Sequence, residues 1–166
     1  TYASGGKLVI MHKWNPEHAL ELIERERVTS FGGVPAMVWQ VLESADFATR
    51  DTSSVLSIGY GGAPSAPDLV ARIKQQFPKV EPSNGYGLTE TSAITTQNLA
   101  EDYVAKPDSA GVAVPVCDIK VVDEKGNELP RGQVGELWIR GPNVVKGYWN
   151  KPEETRETFQ NILKSR

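Results

Sequence analysis

Within Gly85-Tyr86-Gly87-Leu88-Thr89-Glu90-Thr91 an aromatic ring, hydroxyls and a carboxylate stand close together beside two glycines. Tyr86 offers a flat face on which a base can stack. Thr89 can donate to a phosphate or carboxylate oxygen, and Glu90 is a hard oxygen ligand of the kind magnesium takes beside nucleotide phosphates. The glycines permit a tight backbone and close approach of another group. This is the chemistry of an adenine nucleotide and metal site. The same residues also describe a glycine-rich loop with a partly buried Tyr and a solvated Glu. The heptad alone, read as one turn, leaves both open.

The surrounding elements follow from periodicity. Over the first hundred or so residues short apolar strands alternate with amphipathic helices, which predicts a layered α/β arrangement. Leu8–Met11 is a strand candidate. Asn15 and Pro16 read as N-cap and first helical residue, ahead of a buried side carrying Ala19, Leu20, Leu22 and Ile23. Val28–Phe31 is predicted as a strand and Pro35 as the start of a second helix with Met37, Val38, Val41 and Leu42 inward. Val55–Ile58 is a third strand, ending at Gly61-Gly62. Ser65-Ala66-Pro67-Asp68 reads as a capped helix start before the stripe Leu69, Val70, Ile73 and Phe77. Strand, glycines and helix in that order suggest a dinucleotide fingerprint. However, Pro64 and Glu90 stand where Gly59-X-Gly61 and Gly85-X-Gly87 would need a third glycine.

Beyond Pro107 the pattern alternates. Asp118–Asp123 carries Ile119 and Val121 on one side, Asp123–Asn127 is a turn, and Gln133–Arg140 answers with Leu137 and Ile139. A small antiparallel β subdomain, barrel-like, is expected there. Asn150-Lys151-Pro152 opens a last helix with Glu153 and Glu154 in its first turn. The expected division is therefore 1–106 for the α/β subdomain, 107–150 for the antiparallel β subdomain and 151–166 for a truncated helical tail. Trp138, Tyr148 and Trp149 are expected to pack as structural aromatics.

Composition narrows the function classes. With 39% hydrophobic and 23% charged residues the 166-residue chain reads as globular, and its net charge of −3 gives nucleic acid no basic stripe. Cys117 is the sole cysteine, which excludes an intrachain disulfide framework and fits a reducing, intracellular and most simply cytoplasmic setting. It is expected as a small buried residue at a strand entrance. No stretch approaches a membrane span or a signal peptide. The chain opens at Thr1 without Met, runs at once into Leu8-Val9-Ile10-Met11, and closes after an unfinished helix; both ends are expected to be cuts through a larger protein.

Three segments accompany the heptad: Ser57-Ile58-Gly59-Tyr60-Gly61-Gly62-Ala63-Pro64 upstream, then Gly135-Glu136-Leu137-Trp138-Ile139-Arg140-Gly141 and Gly147-Tyr148-Trp149 downstream. In this order and spacing they resemble the adenylate-forming, AMP-binding enzyme superfamily. Phe31-Gly32-Gly33-Val34-Pro35-Ala36-Met37 looks most like its acyl-CoA synthetase branch. The resemblance runs from about Lys7 to Phe159 and implies a fragment of the large N-terminal domain. It implies an ATP-dependent, AMP-forming acid–thiol ligase that activates a carboxylic acid, expected to be fatty, as acyl-AMP and passes it to coenzyme A. ATP, Mg2+ and coenzyme A are the implied cofactor and co-substrates.

By the same resemblance, Thr89 contacts phosphate and Glu90 holds the magnesium, and these two are the implied catalytic pair. Tyr86 lies against adenine with Asn84 and Gly85 beside it. Gly61, Gly62 and Ala63 form the wall between nucleotide and acyl sites. The alternatives are another adenylate-forming enzyme (an amino-acid adenylation domain, a fatty acyl-AMP ligase or a luciferase-like oxygenase) and a non-catalytic nucleotide-binding module. The family's Lys-bearing phosphate loop, its Asp-Gly-Trp and ribose-binding Asp, and its mobile C-terminal domain have no counterpart here; Gln160–Arg166 does not match. The chain alone is therefore expected to have little or no ligase activity.

Overall fold

In the computed structural model, which describes residues 5–159 and 163–165, Asn15 and Pro16 start helix α1 (Pro16–Glu26) as their chemistry requires. The Asn15 side chain accepts from the His18 amide at 2.6 Å, satisfying one of the donors a helix start leaves open. Ala19, Leu20, Leu22 and Ile23 are buried along one side. Helix α2 (Pro35–Glu43) buries Val38, Val41 and Leu42, and α3 (Pro67–Gln76) buries Leu69, Val70 and Ile73, each from the predicted stripe. Ser65 does not cap α3. Ala66 holds that position without a side-chain bond, and the Ser65 hydroxyl turns to the Ala66 carbonyl at 3.4 Å.

Strand β1 (Ser30–Gly33) begins two residues later than predicted and pairs in parallel with β2 (Ser57–Gly61), in register from Ser30 opposite Ser57 to Gly33 opposite Tyr60. Three further strands complete this sheet: β3 (Glu81–Tyr86), β4 (Thr96–Leu99) and β5 (Val112–Ala113), in the order β1-β2-β3-β4-β5. Helix α4 (Ala100–Ala105) follows β4, and β5 closes on β4 antiparallel. The second sheet is antiparallel and has the order β6-β7-β8, from β6 (Asp118–Val122), β7 (Glu136–Arg140) and β8 (Leu163–Ser165). The predicted class, layered α/β followed by a smaller antiparallel sheet, is the observed one.

Several expectations fail for identifiable reasons. Leu8–Met11 forms no strand: Leu8 and Ile10 are 51% and 77% exposed, because an apolar run specifies a strand only where a partner ladder meets it. The last helix, α5 (Pro152–Thr158), opens at Lys151-Pro152 as expected but ends at Thr158 and does not continue as a helical tail through Leu163–Ser165. Leu163–Ser165 instead pairs with β7, and residues 160–162 and 166 of the expected helical tail lie outside those described. Trp149 is 92% exposed rather than packed.

Two compact units emerge, one from residues 1–84 with 98–109, the other from 85–97 with 110–166. They are interleaved along the chain, not consecutive stretches meeting at residue 107. The first unit is built on an apolar cluster that includes Val38, Ile58, Tyr60, Leu69, Ile73 and Tyr103. Tyr103 donates to the Tyr60 hydroxyl at 2.9 Å within it, and burial raises the Tyr60 phenol far above its ordinary value. The second unit centres on Ile139 and Cys117, with Leu88, Ile119, Val144 and Phe159 against them. Cys117 is buried one residue before β6, as expected.

Candidate functional site

The heptad is not one turn. Gly85 and Tyr86 end strand β3, and Thr89–Thr91 form a 3-10 turn. Between them Gly87 is obligatory on steric grounds, since a Cβ there would lie 1.4 Å from the Ala93 carbonyl oxygen. The Tyr86 carbonyl accepts from the Thr95 amide at 2.8 Å, so the chain leaves β3, makes the turn and returns beside its own start. Ser92 and Ala93 complete the reversal at φ of 52° and 100°, conformations that side chains avoid and that surrounding bonds must hold.

Those bonds are polar. The Thr91 hydroxyl is fully buried and has three partners: it accepts from the Leu88 amide at 2.9 Å and the Thr95 hydroxyl at 2.9 Å, and donates to the Leu88 carbonyl at 3.0 Å. From far along the chain, Asn143 donates through Nδ2 to the Thr91 carbonyl at 3.1 Å and the Ile94 carbonyl at 3.4 Å. The Ser92 hydroxyl donates to the Asn143 carbonyl at 2.9 Å. The Cys117 thiol reaches Asn143 Oδ1 at 3.3 Å. Thus Cys117, beyond its packing, helps orient the amide that secures the turn.

Glu90 is gripped at both ends. Its carbonyl accepts from the Val145 amide at 2.8 Å, and its carboxylate Oε1 accepts from the Tyr148 hydroxyl at 2.5 Å. The adjoining carboxylate, with burial adding to it, raises the Tyr148 phenol above its ordinary value, so Tyr148 is a donor at neutral pH. Glu90 and Tyr148 line a cavity of about 1250 Å³ within the second unit, shared with Leu88, Val122, Asp123 and Glu136. Thr89 is exposed and Tyr86 half-buried; neither lines that cavity.

The remaining candidates belong to the first unit. Gly61 ends β2, Gly62 follows at φ +75°, and Gly62 and Ala63 are exposed. Asn84 lies in β3, half-buried. A separate groove of about 870 Å³ in this unit, lined by Ile10, Met11, Trp14 and Phe31 among others, includes none of these four. Phe31 also packs on the apolar core, the role expected for an aromatic at a strand end.

Among the described residues no three His, Cys, Asp or Glu side chains converge to hold a metal by themselves. Glu90 lines its cavity together with other acidic residues, Asp123 and Glu136 among them, and such a site suits magnesium, an ion that keeps several waters and binds through one or two carboxylates plus substrate phosphates. Among the same residues no helix is long and apolar enough to cross a membrane.

Thr91, Asn143 and Tyr148 escape residue-by-residue reading. Tyr148 reads as packing because an aromatic beside Gly147 in a β-rich stretch normally packs. Its separation of 58 residues from Glu90 leaves no local signal.

Comparison with known proteins finds relatives over nearly the whole chain. The family described as AMP-binding enzyme matches residues 1–149. A 4-coumarate–CoA ligase of Pinus taeda is 38% identical over 160 residues, which cover 94% of this chain and 30% of that protein. Among solved structures, the amide bond synthetase McbA from Marinactinospora thermotolerans superposes with a TM-score of 0.88 at 33% identity, over 98% of this chain and 33% of that one. The N-terminal domain of FACL13 from Mycobacterium tuberculosis, solved with an inhibitor, gives 0.83 at 32% identity, over 93% of this chain and 38% of that one. The chain therefore spans about a third of the length of these relatives. A match over residues 1–149 places it: the chain belongs to the AMP-binding enzyme family.

Proposed function

We propose that the intact protein carrying this chain is an AMP-forming acid–thiol ligase, using ATP, Mg2+ and coenzyme A. In the first half-reaction a carboxylate oxygen of the acid bonds to the α-phosphorus of ATP and the bond to pyrophosphate breaks. In the second, the coenzyme A sulfur bonds to the acyl carbon, the thiol gives up its proton, and AMP leaves. Charge crowding dominates the first barrier, so positioning and compensating charge do most of the work.

In this reading Glu90 holds the magnesium, whose chemistry is to neutralise phosphate charge, and Thr89 donates to the phosphates. Tyr86 stacks on adenine, with Asn84 and Gly85 at its edge. Gly61, Gly62 and Ala63 supply the thin wall beside the acyl site. One observation carries the reading: in a chain of this family, the Glu90 carboxylate lines a cavity while its backbone and one oxygen are fixed by hydrogen bonds.

For the acid we propose a carboxylate with a large apolar part. That class includes the fatty acids suggested by Phe31–Met37 and the 4-coumarate named for the Pinus taeda relative. ATP and coenzyme A as co-substrates fit an intracellular site. The likeness to McbA favours one second reading, in which the acceptor is an amine and the product an amide.

The test is pyrophosphate exchange into ATP by the intact gene product across fatty, aromatic and amino acids, followed by product analysis with coenzyme A or amines. Exchange with an apolar acid and a thioester product is expected. An amide product would establish the second reading, and exchange with no acid would overturn both. Phosphate-loop and ribose contacts have no counterpart in this chain, so alone it is expected to show no turnover above background.

A further inference from the structure

Tyr148 is held as firmly as it holds. Its amide donates to Thr155 Oγ1 at 2.9 Å, and the Thr155 hydroxyl in turn donates to the Lys151 carbonyl at 2.6 Å, tying it to the first turn of α5. Its ring meets Phe159 edge-on, with centroids 5.5 Å apart at 67°. Gly147 lets the chain come this close, for a Cβ there would fall 2.4 Å from Thr155 Cγ2, at a φ of +149° that also favours glycine. An exposed phenol would lose rotamer freedom to reach one carboxylate oxygen; here packing from α5 has already removed it.

The consequence for Glu90 is directional. A carboxylate has two oxygens and turns about its last torsion with little preference. With Oε1 accepting the phenol at 2.5 Å and the Glu90 carbonyl bound to the Val145 amide at 2.8 Å, that torsion is set, and the second oxygen is presented in a defined direction. Partners that orient a ligating carboxylate commonly change metal affinity by ten- to a hundredfold when removed.

We propose that Tyr148 is a positioning residue for the metal: its hydroxyl fixes the Glu90 carboxylate so that the magnesium accompanying the nucleotide meets one pre-aimed oxygen. The contacts from Thr155 of α5 and from Phe159 just beyond it transmit rigidity to that carboxylate through Tyr148. This rests on the reading of Glu90 as the metal ligand given above. It assigns a role to the Gly147-Tyr148 pair that the ligase reading by itself leaves as packing.

The experiment is a double-mutant cycle in the intact gene product: wild type, Tyr148→Phe, Glu90→Gln and the pair. Mn2+ binding in the presence of saturating ATP is read by electron paramagnetic resonance, and pyrophosphate exchange is read alongside. Tyr148→Phe keeps the ring, and an unchanged unfolding midpoint within a degree or two shows that the packing survives.

Tyr148→Phe should weaken Mn2+ binding about tenfold and raise the apparent KM for Mg2+ similarly, while the KM for the acid stays put. In the Glu90→Gln background the same change should do nothing further. Tyr148→His, which restores a donor, should recover part of the loss. Equal Mn2+ affinity in wild type and Tyr148→Phe overturns the proposal, as does a loss of the same size without Glu90. Normal exchange by Tyr148→Phe, together with its loss in Glu90→Gln, leaves the ligase reading standing and removes this one. No exchange with any acid, but a Glu90-dependent Mn2+ effect, does the reverse. Absence of Mn2+ binding in wild type overturns both.

Discussion

In the first unit the fully buried side chains Val38, Ile58 and Ile73 are apolar and come from helices and strands whose stripes repeat every few residues. In the second, the fully buried Thr91 and Thr95 belong to a reversal of the chain and are buried with their hydroxyls paired. The first kind of order is non-directional and tolerates a neighbour's small shift. The second depends on angles and distances, and an unpaired buried hydroxyl or carbonyl costs more than the bond contributed. Glu90, the proposed metal ligand, sits on the directional framework, bonded through its carbonyl to Val145 and through its carboxylate to Tyr148.

The contrast can be broken from either side. Ile73→Ala should be the most damaging change, about 4 kcal/mol from lost burial and the cavity left behind, seen as reduced hydrogen-exchange protection in the first unit. Gly87→Ala should come next, at about 3 kcal/mol, because backbone rather than a flexible side chain occupies the space its Cβ needs. Here the loss of protection should centre on residues 85–97. Asn143→Ala should cost about 2 kcal/mol by stranding the Thr91 and Ile94 carbonyls. Asn143→Asp, which keeps size but removes the donor, should lose nearly as much, whereas a packing role would spare it.

The smallest effect concerns acid. Asp51 accepts from the Ser53 amide at 2.9 Å and from Arg27 at 2.6 Å, and these contacts, the Ser53 hydroxyl foremost, lower its pKa to about 2. A carboxylate depressed when folded stabilises fully above its unfolded pKa, near 3.9, and loses that contribution as pH falls through the folded value. Glu21, Glu24 and Glu26 of α1 are lowered in the same direction, Glu24 chiefly by the Asp51 amide. Asp51→Asn should therefore lower the urea midpoint slightly at pH 6, and the difference should shrink between about pH 4 and pH 2 and disappear only below the folded value. A difference as large at pH 2 as at pH 6 would show that charge is not its cause.

The same contrast explains what the sequence discloses. Ala19, Leu20, Leu22 and Ile23 announce their side of α1 because burial imposes a period, and Asn15-Pro16 announce its start because orphan amides need an acceptor. Leu8–Met11 carries a similar apolar signal and forms no strand, since periodicity says nothing about whether a partner is present. The chemistry-bearing residues of the heptad were legible as types. Their support was not: Asn143, Val145 and Tyr148 lie 49 to 58 residues from the groups they hold. Hydrogen bonds at that separation leave no spacing to read. The interleaving of 85–97 with 110–166 has the same origin, because the site turn is bonded to a loop from the far end of the chain.

The most direct test of the Glu90 assignment is the Mg2+ dependence of acid-driven pyrophosphate exchange by the intact protein and its Glu90→Ala variant. The variant, with an unchanged unfolding midpoint, should lose exchange by at least about a hundredfold, as expected when a directly ligating charge is removed from a phosphoryl-transfer site. An unaltered rate and an unaltered Mg2+ requirement in a folded Glu90→Ala protein would contradict the assignment.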